Sequence, residues 1–264
     1  MVKYYDEIPE FLFKWIAQQK VFWVATAPLT SDGLVNISPK GVEGSFRVEG
    51  PNKVWYEDLT GSGIETVAHV RENGRITVLF NAFEGPPRIL RLYGKGTVYE
   101  FGTPEYEALL PPEKRQIGSR SIIMLDVFKV GTSCGYAVPF FTYKAPRNRL
   151  LTHFTRHELA DIEAEAKIES CSIPPRPENG LKQYWVVRNA KSLDGLPGVL
   201  SGFESTTRFK SPKRNLQQDD ETERIGLRIG EAVKAVVDLK LVVAFFTGVM
   251  VTASYVKCVR PWSP

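Results

Sequence analysis

Sulfur and histidine are scarce in this chain of 264 residues, which holds three cysteines, three methionines and three histidines. Cys134, Cys171 and Cys258 lie far apart and form no CxxC pair. That spacing excludes a disulfide framework and a cysteine-built zinc site, and it fits a reducing compartment. His153 and His157 stand one helical turn apart, with Arg156 between them and no third ligand nearby. They read as a surface pair, so no metal is expected. Long runs of one charge sign are also missing. The net charge is only +4, and the basic residues form no stripe, which argues against nucleic acid as a partner. Residues 1–7 show no signal-peptide pattern, because acidic side chains and Pro9 precede any apolar run. The expected location is cytoplasmic. No Ser-His-Asp order, G-x-S-x-G elbow or Walker lysine loop is found, and Gly61-x-Gly63 lacks the third glycine of a dinucleotide fingerprint. No catalytic residue is assigned.

What remains is an ordinary globular composition, 43 % hydrophobic and 24 % charged. Residues 8–19 carry an apolar stripe of Phe11, Leu12, Trp15 and Ile16 and read as an entry helix. Residues 21–27 and 34–38 read as a hairpin around Asp32-Gly33, with Pro39 ending the regular ladder. A second hairpin spans 46–48 and 54–59. A short helix follows over 64–73 and stops at Asn73-Gly74. Strands are expected over 75–83, 88–100 and 121–130, with a bend or bulge at Gly94-Lys95-Gly96. Thr103-Pro104-Glu105 starts another helix. Six or more strands with mostly short turns point to a mainly β fold with flanking helices, an antiparallel barrel rather than a βαβ sheet.

The character changes after Gly135. The barrel is placed at 8–135 and a C-terminal extension at 136–200, with a long amphipathic helix over 147–168 and an edge strand over 183–188. Residues 201–230 are polar and mixed in charge and read as a flexible linker. Residues 231–258 hold an uncharged run over 241–256, bounded by Lys240 and Lys257. As a helix that run covers about 24 Å of a ~30 Å hydrocarbon core. It reads either as a tail anchor in an intracellular membrane or as a helix buried in the protein or in a dimer.

The chemistry concentrates where the second hairpin meets its helix, at Asp58-Leu59-Thr60-Gly61-Ser62-Gly63-Ile64-Glu65-Thr66. Unpaired N–H groups at a helix start suit an anion. The same residues also spell the capping box Ser62-x-x-Glu65, and that carboxylate would repel a phosphate. Lys40, in Ser38-Pro39-Lys40-Gly41, offers positive charge at a strand end, and Arg75 and Arg91 are further candidates. Cys134 reads as a turn or buried cysteine.

Four segments in order carry a resemblance. Asn36-Ile37-Ser38-Pro39-Lys40-Gly41, the stretch 58–66, Asn73-Gly74-Arg75-Ile76-Thr77-Val78-Leu79-Phe80 and Arg91-Leu92-Tyr93-Gly94-Lys95-Gly96 resemble the pyridoxamine 5′-phosphate oxidase-like family. Residues 191–198 look like an extension seen in fungal members. The resemblance implies an FMN-binding split antiparallel β-barrel, a homodimer with FMN at the interface, and oxidoreductase activity on a small molecule. It implies flavin contacts from Ser38, Lys40, Gly41, Leu59, Thr60, Ser62 and Thr66, with Arg75 and Arg91 as further carry-overs. Gly63, Ile64 and Glu65 stand where the true oxidases carry basic residues, and their arginine-rich C-terminal motif has no counterpart. A substrate other than vitamin B6 is therefore expected. A flavin- or haem-binding carrier, or a dimeric scaffold without cofactor, is the alternative.

Overall fold

The structure, a computed structural model, describes residues 2–167, 176–210 and 245–255. By its contacts the chain divides into two units, Met1–Arg214 and Asn215–Pro264. The first contains β1 (Lys3–Tyr5), α1 (Glu10–Gln18), β2 (Phe22–Thr26), β3 (Asn36–Lys40), β4 (Phe46–Gly50), β5 (Lys53–Leu59) and α2 (Glu65–Asn73). It continues with β6 (Arg75–Asn81), β7 (Ile89–Glu100), α3 (Pro104–Leu109), β8 (Ser119–Ser133), α4 (Arg149–Glu165) and α5 (Leu181–Arg188).

All pairings are antiparallel, in the order β3-β2-β6-β7-β8-β5-β4, with β1 beside β8. The edges are therefore β3 and β4. The period-2 pattern decides which side chains turn inward. Phe22 and Val24, Val78 and Phe80, Leu90 and Leu92 alternate with half-exposed neighbours and form the barrel interior. Phe22 packs edge-on against Tyr56 of β5, with centroids 5.4 Å apart. Leu12 and Ile16 of α1 join the same core. β5 is buried along both faces after Lys53, its second face carrying Trp55, Glu57 and Leu59.

Local chemistry accounts for several boundaries. Gly74 ends α2 with φ of 72°, a left-handed cap that favours glycine. Thr103 Oγ1 accepts the N–H of Tyr106 at the start of α3. At Gly94 the register of β7 on β8 shifts, and a β-carbon there would stand 2.6 Å from the carbonyl oxygen of Asp126. Pro39, expected to end its strand, lies inside β3 opposite Trp23. An edge strand tolerates the missing N–H.

The expected edge strand over 183–188 is instead helix α5. Leu181, Lys182 and Trp185 are buried on one face of it, at helical spacing. The Asp161 carboxylate of α4 accepts the N–H groups of Leu181 (2.7 Å) and Lys182 (3.1 Å), satisfying the first turn from a distant element. Residues 202–210, expected as linker, pack on this helix. Lys182 Nζ donates to Glu165 and to the carbonyls of Ser205 and Thr207, and the Phe209 ring stacks on Phe101 at 4.7 Å. The remainder of the expected linker, 211–230, lies outside the described residues, as do Cys171 and Cys258.

In the second unit a helix covers 245–255, while 241–244 and 256 lie outside the described residues. Among the described residues no helix is long and apolar enough to cross a membrane.

Candidate functional site

No backbone ladder joins β3 to the β4–β5 hairpin among the described residues; β3 pairs only with β2. Side chains span the seam instead. Asn36, Ser38 and Lys40 share one face of β3 by the two-residue repeat. Asn36 Nδ2 donates to Thr66 Oγ1 of α2 at 3.0 Å and to Thr26 Oγ1 at 3.1 Å. Ser38 Oγ donates to Asn36 Oδ1 at 2.9 Å. Lys40 Nζ reaches Asp58 Oδ1 of β5 at 3.1 Å and lies 5.9 Å from the centre of the Tyr56 ring.

Asp58 is fully buried and has a second cation. Arg120 Nε of β8 donates to its Oδ2 at 2.7 Å, and Ser121 Oγ stands 3.4 Å from the same oxygen. Burial alone would raise the Asp58 pKa; Arg120 and then Lys40 outweigh it and hold the carboxyl at about 2. Burial, with Asp58 adding to it, pushes the Tyr56 phenol well above its ordinary value. Arg120 also donates to the Gly63 carbonyl (2.9 Å) and to Asn189 Oδ1 (3.0 Å), and Asn189 Nδ2 donates to the Gly61 carbonyl (3.0 Å). The junction loop is thus held by its own carbonyls.

The other junction residues are occupied as follows. Leu59 is buried at a register shift against Ser119. The hydroxyl of Thr60 donates to the Gly118 carbonyl (2.7 Å) and accepts from Trp185 Nε1 (2.8 Å), so it anchors α5. Ser62 is exposed. The expected capping box does not form: α2 starts at Glu65 with Ile64 in the N-cap position and no side-chain cap. The loop places Ser62 two residues ahead of the N-cap position, too early to cap the helix N–H groups. The Glu65 carboxylate instead folds over Gly63 and accepts the Leu193 N–H at 3.4 Å.

Arg75 and Arg91 do not join this cluster. Arg75 stands beyond the opposite end of α2, donating to the Pro28 carbonyl (2.9 Å) and to Asn73 Oδ1. Arg91 faces Leu79 across β6, at a half-exposed position away from the buried alternation of β7.

Several residues of the site escape sequence reading. His69, fully buried on α2, stands 3.1 Å from Thr26 Oγ1 through Nδ1 and 3.1 Å from Asp194 Oδ2 through Nε2. Asp194 Oδ1 accepts the Leu34 N–H at 3.0 Å. That N–H first, then His69, lowers the Asp194 pKa. The spacing of Thr66 and His69, three apart on a helix, is a legible hint. Nothing local marks Asp194, 125 residues further along, or Arg120.

Past the Lys40 end of β3 opens a cavity of 830 Å³, walled by Trp15, Pro39, Lys40, Asn81, Phe83 and Tyr143, among others. Its size and its mainly apolar wall suit a small organic molecule. Residues 141–147 strap one side: the Phe141 N–H donates to the Phe83 carbonyl (3.1 Å), and the Tyr143 N–H to Glu84 Oε1 (3.1 Å).

No family model matches the chain. A protein of Aspergillus flavus, the pyridoxamine 5′-phosphate oxidase family protein ustO, is 38 % identical over 211 residues, covering 78 % of this chain and 81 % of that one. The chain belongs to the pyridoxamine 5′-phosphate oxidase family. Among solved structures similar to this family member, HupZ of Group A Streptococcus shares 24 % identity and covers 47 % of this chain and 91 % of its own, with a TM-score of 0.38. A Clostridium acetobutylicum protein of the pyridoxinephosphate oxidase family, related to general stress protein 26, shares 16 % identity over 48 % of this chain and 91 % of its own, with a TM-score of 0.34. The fold is the split antiparallel barrel with flanking helices expected of the family.

Proposed function

We propose that this family member binds a flavin along the β3 seam, works as a homodimer, and oxidises or reduces a small molecule other than a vitamin B6 phosphate. The observation that carries the reading is the polar face of an edge strand, Asn36-Ser38-Lys40, running into a cavity with aromatic walls. Ser38, Lys40 and Gly41 contact the ring. At Gly41 the chain passes close to the Lys20 carbonyl oxygen, which a β-carbon would crowd at 3.1 Å, so glycine suits the strand end beside the cavity. Ser62 and Thr66 face the ribityl chain, and Leu59 and Thr60 hold the junction in place. Arg75 and Arg91 have no part in it. When bound, the flavin supplies the redox chemistry, and the protein supplies binding and orientation. FMN is the form the family resemblance brings, but two carboxylates, Glu65 and Asp194, stand at the junction that its phosphate would need.

The exposed Leu34, Val35 and Ile37 beside the seam support the homodimer. A tail over 241–256 that contacts a membrane is supported by the exposed Phe245, Phe246, Val249, Met250 and Val251.

The deciding experiment is purification of the full chain. A yellow protein that releases flavin on heating is expected. A colourless protein that also fails to bind added riboflavin and FMN refutes the flavin reading. A monomer by light scattering at micromolar concentration refutes the dimer, and full release from membranes by carbonate refutes a spanning tail.

A further inference from the structure

We infer that the junction end of this site excludes phosphate, so that the protein takes an unphosphorylated flavin in preference to FMN. The inference rests on the flavin reading for the identity of the ligand, but the exclusion of phosphate stands on this chain's own residues.

Apart from the exposed Ser62 hydroxyl, the side-chain donors at this end are largely engaged within the protein. Both N–H bonds of the Asn36 amide are used, on Thr26 and Thr66, and the Ser38 hydroxyl is used on Asn36. A His69 ring that accepts from the Thr26 hydroxyl at Nδ1 carries its proton on Nε2 and gives it to Asp194. Arg120 gives its Nε to Asp58 and its Nη1 to Gly63 and Asn189. Lys40 keeps a partly exposed ammonium, yet it shares the Asp58 carboxylate with Arg120.

The anion bound at this end is the chain's own. Asp194 takes the Leu34 N–H with one oxygen and His69 with the other. Glu65 lays its carboxylate over Gly63, in front of the first turn of α2, where the helix would otherwise attract an anion. Lys40 and Arg120 are thus both committed to Asp58, and Glu65 and Asp194 add two further carboxylates at the junction. A phosphate adds up to two further negative charges at short range from these carboxylates.

Asp194 is also built in rather than incidental. Its loop is pinned by the Lys191–Pro197 bridge and by Arg71 Nε, which donates to the Gly198 carbonyl at 3.1 Å. Behind it, the Glu100 carboxylate accepts the N–H groups of Leu200, Ser201 and Gly202 at 2.6–2.7 Å. A carboxylate held by a fixed loop cannot swing aside at little cost when a phosphate arrives.

The test is titration of the full chain, stripped of any bound flavin, with riboflavin and with FMN, followed by quenching of flavin fluorescence. Riboflavin is expected to bind at least about tenfold more tightly than FMN, with the gap narrowing as salt screens the carboxylates. The double variant Glu65→Gln, Asp194→Asn keeps size and shape and is expected to close the gap by gaining FMN affinity. Should the double variant fold poorly, each single substitution is expected to close part of the gap. FMN bound by the unaltered chain as tightly as riboflavin overturns the inference, as does a gap that both substitutions leave intact. If neither flavin binds, the flavin reading fails, and inorganic pyrophosphate decides the exclusion by its effect on the unfolding temperature. No stabilisation of the unaltered chain with a gain in the variant upholds the exclusion; equal stabilisation of both overturns it.

Discussion

Asp58 and Glu158 are both carboxylates buried against β8 or the turn that leads into it, yet their surroundings drive them in opposite directions. Asp58, at the seam, has Arg120 and Lys40 on its two oxygens and is held ionised, with a pKa of about 2. Glu158, on α4, has the Gly118 N–H at 2.6 Å, no cation within ion-pair distance among the described residues, and Asp161 and Glu57 nearby. Burial therefore dominates and lifts it to about 8. Asp161 is lifted by burial in the same way, to about 6, although two backbone N–H groups oppose the shift. Burial penalises a charge in both regions, and a matched cation decides whether the charge survives. The seam is locked by charge, and the docking of α4 leans on a protonated acid.

That contrast is broken most severely at Arg120. Arg120→Met leaves Asp58 buried with only the half-solvated Lys40, and a loss of about 3–5 kcal/mol is expected by denaturant titration. A loss below about 1 kcal/mol would show that the seam does not depend on the pair.

Next comes pH. Glu158 titrates at about 8 in the folded chain and at an ordinary 4.5 when unfolded. Its stabilising contribution is complete below pH 4.5 and is lost as pH rises to about 8, a fall on the order of 3 kcal/mol after relaxation. Glu158→Gln should flatten that limb of the stability curve, and an unchanged slope between pH 5 and 8 would remove Glu158 as its source. Asp58 works with the opposite sign. Its folded pKa lies below the unfolded 3.8, so its contribution of about 2 kcal/mol is present above pH 3.8 and is lost as pH falls towards 2. In Asp58→Asn the acid limb should shrink.

The smallest effect belongs to Lys40→Ala. The side chain is 24 % exposed, and solvent weakens the pair, so a cost of about 1 kcal/mol is expected. Flavin affinity should fall at the same time. Loss of stability without any change in flavin binding would make Lys40 a seam residue alone.

Much of the barrel was legible residue by residue. Strands β2, β6 and β7 lie where runs of β-forming residues predict them, Gly74 and Thr103 marked helix ends, and Gly94 marked the bulge, because each reports a backbone need met within a few residues. Helix α5 was misread because its apolar side chains fit either period and its N-terminal partner, Asp161, lies 20 residues away. The capping box failed because its geometry requires the helix to begin at Ser62's own turn, and the loop delays that start to Glu65. Of the site, Ser38, Lys40, Thr60 and Thr66 were read as polar groups near a strand end or a helix start. Their partners were not readable, since a sequence pattern carries no signal for a contact made across the seam.

Local residue preferences sufficed for most barrel strands and their turns, for the start of α3 at Thr103 and the end of α2 at Gly74, and for the ordered motifs that mark the family. Only the tertiary structure decided what those motifs do. It spent Lys40 on Asp58, sent Arg75 to the far end of α2, and brought Asp194 across 160 residues to the Leu34 N–H. The stretch that reads as a grip for phosphate became a junction ringed by carboxylates. The physical reason is range: backbone preferences act between neighbours, whereas the charge felt at a site is the sum over every side chain that folding brings near.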